Sequence, residues 1–188
     1  MLFHTRIDRG FLFIMLTLLT SGCAASRYFL NGCDMDHCFQ IPEVPFVEQK
    51  NDFCGPASLA MVMNFYGAKV TQEEIAKEIY SPELKGTLSM ELVLYPIKKG
   101  FEAEMYNGNL DDLKQRVRAM FPLIVSIKEQ ADTDRTHYMV VWGYDDMDKK
   151  IFAHSGHKER VVMSYDEFLD TWKRADFLTV WMYPKVRQ

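Results

Sequence analysis

Apolar positions recur first at helical spacing and then at alternating spacing along the chain. Over 54–66, Leu59, Val62, Met63 and Tyr66 fall on one side of a helix, and Gly67 supplies a stop. Thr71 and Glu74 make a capping box at the head of TQEEIAKEIY, which Ser81 and Pro82 end. A third helical pattern covers 89–99, where Pro96 should kink or shorten it. Asn109 is placed to cap LDDLKQRVRAM. The period then changes to two, and PLIVSIKE, HYMVVWGYDD and KKIFAHSG read as three successive strands, with a polar link over 130–136. Ser164 caps YDEFLDTW, and FLTVWMYP supplies a last strand. Residues 41–48 form an extended, proline-bearing lead-in. Helices first and strands second predict an α+β fold, with N-terminal helices packed on a mainly antiparallel sheet.

Composition narrows what such a fold does. The chain has 188 residues, 48% hydrophobic and 26% charged, enough for one domain with a real core. A net charge of −4 and the lack of a long lysine or arginine block argue against nucleic acid. There is no glycine-rich phosphate loop, hence no ATPase in this chain. The 12 methionines, among them Met61, Met63 and Met139, fall at core positions and call for no cofactor or metal. Trp142, Trp172 and Trp181 belong to the sheet and its covering helix. The acidic run DDMDK, with Asp145 and Asp146 at its head, is a turn and lacks EF-hand spacing.

The N-terminus reads as targeting. Arg6 and Arg9 precede GFLFIMLTLLTSGC, whose apolar run falls short of the roughly 20 residues that span a bilayer. Thr20, Ser21, Gly22 and Cys23 resemble a bacterial lipobox, with Leu19 one place earlier than usual. That resemblance implies a signal peptide over 1–22, a lipid on Cys23 and a tether over 23–44. Ala24 stands where an inner-membrane retention aspartate would sit. The expected location is the bacterial cell envelope, at the outer membrane facing the periplasm. Such a compartment permits a disulfide between Cys33 and Cys38. The competing reading is a metal site from Cys33, Asp34, Asp36, His37 and Cys38, although no second ligand cluster follows at zinc-site spacing.

The stretch VEQKNDFCGPASLAMVMNFYG carries the chemistry. A thiol attacks as thiolate, and a helix N-terminus favours that anion. Cys54 stands at such a start, Gly55 and Ala57 let a substrate backbone approach, and Pro56 suits a first turn. The alternative is a small buried cysteine. A nucleophile needs a base. Of the five histidines, His4 lies in the signal and His37 in the cysteine loop, leaving His137, His154 and His157. His137 opens the strand HYMVVWGYDD, where it can face a helix end.

Glutamine, then cysteine at a helix start, then histidine at a strand start resembles the papain-like cysteine peptidases. PFVEQKNDFCGPASLAMVMNFYG and HYMVVWGYDD look most like the double-glycine leader peptidases of bacteria and their relatives, including stand-alone lipoproteins. The resemblance implies a papain-like peptidase domain over 45–188. In it Cys54 is the nucleophile, His137 the base and acid, and Gln49 a donor to the oxyanion. The relatives orient their histidine with an aspartate or asparagine on the next strand. Here IFAHSG puts His154 or Ser155 at that place. The implied function is an envelope-anchored cysteine peptidase or amidase acting on a peptide or protein. A non-catalytic peptide- or protein-binding module that keeps the fold is the alternative.

Overall fold

Nine short strands and five helices make up the domain in the computed structural model, which describes residues 37–130 and 135–185. The helices are α1 (Cys54–Phe65), α2 (Gln72–Ile79), α3 (Glu91–Lys98), α4 (Leu110–Arg118) and α5 (Tyr165–Lys173). The strands are β1 (Cys38–Gln40), β2 (Tyr80–Ser81), β3 (Gly86–Thr87), β4 (Phe101–Asn107) and β5 (Leu123–Ile127), followed by β6 (His137–Asp145), β7 (Lys150–Ser155), β8 (Lys158–Ser164) and β9 (Leu178–Pro184).

The main sheet runs β4-β9-β5-β6-β7-β8, and every pair in it is antiparallel. β5 pairs with β6 from Ile127 opposite His137 to Leu123 opposite Val141. Beyond that point β1 takes over the same edge of β6, with Cys38 opposite Asp145. A separate hairpin, β2 with β3, follows α2.

Local chemistry sets the helix starts. Thr71 Oγ1 accepts from Glu74 N at 3.2 Å and Glu74 Oε2 accepts from Thr71 N at 2.9 Å, which completes the capping box of α2. Asn109 Oδ1 accepts from Asp112 N and Ser164 Oγ from Glu167 N, and these single bonds cap α4 and α5. Asn64 holds the turn between α1 and α2 by bonding both backbone groups of Val70. Pro96 lies in the last turn of α3, where few intrahelical bonds remain to be lost.

α1 departs from the one-sided pattern expected of it. Gly55 to Met63 are all buried, because the helix passes between β6 and the pair α2 and α3. A helix that is apolar all round has to be covered all round. Leu59, Val62 and Met139 are fully buried in the core it shares with the sheet, and Trp172 and Phe168 close that core under α5.

Five strands, β1, β2, β3, β4 and β8, were not expected from sequence, and all are short or at an edge. β4 and β8 end the strand order, and β8 opens with three charges, Lys158, Glu159 and Arg160, which read as loop. β4 joins the sheet from within the helical half, so helices and strands are not strictly segregated. β1 lies within the stretch expected to be a tether, yet it pairs with the main sheet and buries Ile41 and Val44 behind it. Cys38 is disulfide-bonded. Cys33, its expected partner, lies outside the described residues, as do the signal stretch 1–22 and Cys23.

Candidate active site

Cys54 is the first residue of α1, and no side chain caps that helix end. Its N-terminal N–H groups are therefore open to another acceptor. Burial pushes the thiol above its ordinary range. Against that push, the backbone N–H groups of Tyr138, Gly55 and Cys54 itself pull it down, while Asp52 adds to the rise. Tyr138 directly follows His137, so the sulfur sits against the start of β6.

Gly55 explains how the helix start comes so close to its neighbours. A Cβ at this position would lie 2.9 Å from Thr87 Cβ and 3.1 Å from Thr87 Oγ1. The hairpin thus packs onto the first turn of α1, and only a glycine fits between them.

His137 stands at the start of β6, opposite Ile127. Its Nε2 is 2.9 Å from Ser155 Oγ at the end of β7. Gly156 follows at φ +60°, and a Cβ there would lie 4.0 Å from His137 Cε1. Burial pulls the imidazole below its usual range, with Glu129 acting weakly in the other direction.

The sequence allows His154 or Ser155 at the orienting position. The structure gives the position to Ser155. Successive side chains of a strand point to opposite faces, and His154 points away from His137. Its Nε2 donates to Val44 O at 3.1 Å, and its ring packs on Phe46 and Trp142. Burial lowers its basicity too, and its Nδ1 has no partner. His157 is exposed and meets Glu48 Oε1 at 3.3 Å.

Gln49 reaches the site from the loop before α1. Its backbone N donates to Gly156 O at 3.0 Å, and its buried Oε1 has no partner. The residues on either side of it are both held by Gln72 at the start of α2. Gln72 Nε2 donates to Glu48 O at 2.7 Å, and Gln72 Oε1 accepts from Lys50 N at 3.0 Å. Sequence reasoning missed Gln72, because a glutamine in a helical first turn carries no chemical signature.

Cys54, His137, Gln49 and Ser155 line one cleft of about 1360 Å³, which continues past Met139 and Met163 toward α5. Asp145 takes no part in it and closes the turn after β6 by accepting from Met147 N at 2.9 Å and Asp148 N at 3.0 Å. Asp146 is tied to Lys114 at 2.9 Å and to the Tyr165 hydroxyl at 2.8 Å. Among the described residues no group of three or more His, Cys, Asp or Glu is placed to hold a metal.

Comparison with known proteins bears on the family and the fold. A model of the Peptidase_C39 like family matches residues 41–182. An uncharacterised protein of Methanothermobacter thermautotrophicus is 30% identical over 104 residues, which are 55% of this chain and 66% of that protein. Among solved structures, a double glycine motif protease from an AMS/PCAT transporter, in complex with its leader peptide, superposes with a TM-score of 0.63 at 22% identity. The match covers 78% of this chain and 95% of that one. The peptidase domain of Streptococcus ComA, a bifunctional ABC transporter, gives a TM-score of 0.62 at 21% identity, covering 76% and 99%. At these identities the structural likeness concerns the fold, α helices on an antiparallel sheet in the papain-like manner.

Proposed function

The chain belongs to the Peptidase_C39 like family, and on that premise we propose that it is a cysteine peptidase or amidase working through Cys54 and His137. The observation that carries this reading is one cleft shared by a helix-start cysteine, a strand-start histidine held at 2.9 Å by Ser155, and a glutamine from the loop before α1.

The chemistry follows from these groups. With Nε2–H donating to Ser155 Oγ, the lone pair of His137 is on Nδ1. Nδ1 takes the Cys54 proton as the sulfur attacks the substrate carbonyl, and the carbonyl oxygen becomes an anion. The Cys54 backbone N–H and the Gln49 side-chain amide stabilise that oxygen. His137 then gives the proton to the departing amine, the C–N bond breaks, and a thioester remains on Cys54. Water, deprotonated by His137, cleaves the thioester and restores the thiol.

The test is covalent labelling by an epoxysuccinyl inhibitor. Label on Cys54 that disappears in Cys54→Ala and falls sharply in His137→Ala supports the reading. A folded protein whose Cys54 stays unlabelled between pH 6 and 9 overturns it and leaves the peptide-binding module. The neutral Ser155, where relatives carry an acid or amide, is the observation that favours that second reading.

The sequence of the N-terminus supports an envelope location. In this proposal residues 1–22 are a signal peptide, Cys23 carries the lipid at the outer membrane, and Cys33 is the disulfide partner of Cys38. Fatty-acid labelling that is absent, or that survives Cys23→Ala, counts against the anchor. The leader peptide bound by the transporter protease is a property of that protein. The substrate class proposed for this chain is a peptide or protein exposed in the envelope.

A further inference from the structure

We propose that Gln72 is a positioning residue for the oxyanion site, acting through Gln49; this rests on the peptidase reading above. Gln72 is 6% exposed and lies outside the cleft lining, so it does not touch a substrate. Its side-chain amide spends both ends on the loop before α1, one on the carbonyl of Glu48 and one on the N–H of Lys50. These are the two residues that bracket Gln49. The backbone of Gln49 itself is tied on the other side to Gly156 O at 3.0 Å. Three bonds thus fix the backbone from which the Gln49 amide projects.

The clamp originates in the sequence of α2. The capping box of Thr71 and Glu74 fixes where the helix begins, and Gln72 is its first residue. A helix start fixed in this way fixes the direction of its first side chain. Lys50 Nζ and Glu73 Oε1 add an exposed contact at 2.5 Å between the same two segments, which contributes little on its own. An oxyanion donor gains its effect from being held in place before the charge develops, and a displacement of about 1 Å can cost about 10²-fold in rate. Gln72 therefore sets how well Gln49 meets the oxyanion, without meeting it directly.

The experiment compares two thiol reactions that differ in their need for the oxyanion site. A peptide aldehyde adds to Cys54 to give a hemithioacetal, whose oxygen occupies that site. Iodoacetamide alkylates the sulfur without using it. Gln72→Met keeps the packing volume and removes both bonds. We expect it to weaken aldehyde binding about tenfold or more and to leave the iodoacetamide rate within about twofold of wild type. Gln72→Glu keeps the bond from Lys50 N and should fall between. In a Gln49→Ala background, Gln72→Met should add almost nothing, because the two residues act as a unit. Equal aldehyde affinity in wild type and Gln72→Met overturns the proposal, as does full additivity with Gln49→Ala. A parallel fall in both reactions overturns it too, since that marks general damage to the fold. A wild-type protein that takes iodoacetamide but binds no aldehyde instead sinks the oxyanion reading itself.

Discussion

His137 Nε2 lies 2.9 Å from Ser155 Oγ, so a neutral hydroxyl, and not a carboxylate, meets the imidazole. A neutral hydrogen bond contributes about 1 kcal/mol, and one to a carboxylate is roughly twice as strong. Ser155→Ala should therefore lower the rate of epoxysuccinyl labelling about fivefold, and Ser155→Asp should raise it above wild type. Measured inactivation rates at neutral pH decide this. Unchanged rates in both variants would show that Ser155 does not orient His137.

The pH profile of the thiol should be displaced upward. Burial raises Cys54 and lowers His137, and both shifts disfavour the thiolate–imidazolium pair. Alkylation of Cys54 by iodoacetamide should rise with pH through a midpoint above the usual thiol value of about 8.5. Ser155→Asp should shift reactivity toward neutral pH by favouring the imidazolium. A wild-type midpoint well below about 8 would mean that an ion pair already exists.

Gly55→Ala tests the close approach of α1 to the hairpin. The added methyl would meet Thr87 Cβ at 2.9 Å, with Thr87 Cγ2 at 3.2 Å behind it. Overpacking of this kind costs about 1–3 kcal/mol, which a denaturant midpoint can read. The hairpin lines the cleft at Gly86 and Thr87, so Cys54 labelling should slow as well. An alanine variant with wild-type stability and reactivity would contradict this packing.

Two buried imidazoles give the fold a dependence on acid. Both His137 and His154 are lowered, first of all by burial. An unfolded chain protonates them at ordinary histidine values while the folded chain leaves them neutral. The stability they confer is complete above about pH 6.5 and is lost as pH falls through their folded values. The urea midpoint should drop across that window, and His154→Phe should make the drop shallower. Its absolute stability is not the readout, because the variant also strips Val44 O of its partner.

The elements legible in the sequence were those with their own local chemistry. Thr71 with Glu74, Asn109 and Ser164 announce helix starts because their side chains bond the first-turn amides of their own helices. β6 and β9 were legible as long apolar strands. β1, β4 and β8 were not, since an edge or a three-residue strand is defined by the neighbour it pairs with. The site divides along the same line. Cys54, His137 and Gln49 carry residue types that suggest chemistry. The choice between His154 and Ser155 needed the face of β7, which a register decides. Gln72 was beyond reach, because its role is set by a loop 22 and 24 residues away.

The burial of Cys54 also bears on how the chain matures. It is a free thiol in a protein whose Cys38 is already disulfide-bonded. Thiol–disulfide exchange proceeds through the thiolate, and burial raises the Cys54 thiol above its ordinary range. A thiol raised in this way should attack the Cys38 bridge slowly, so the burial that restrains its chemistry also works against scrambling of that bridge.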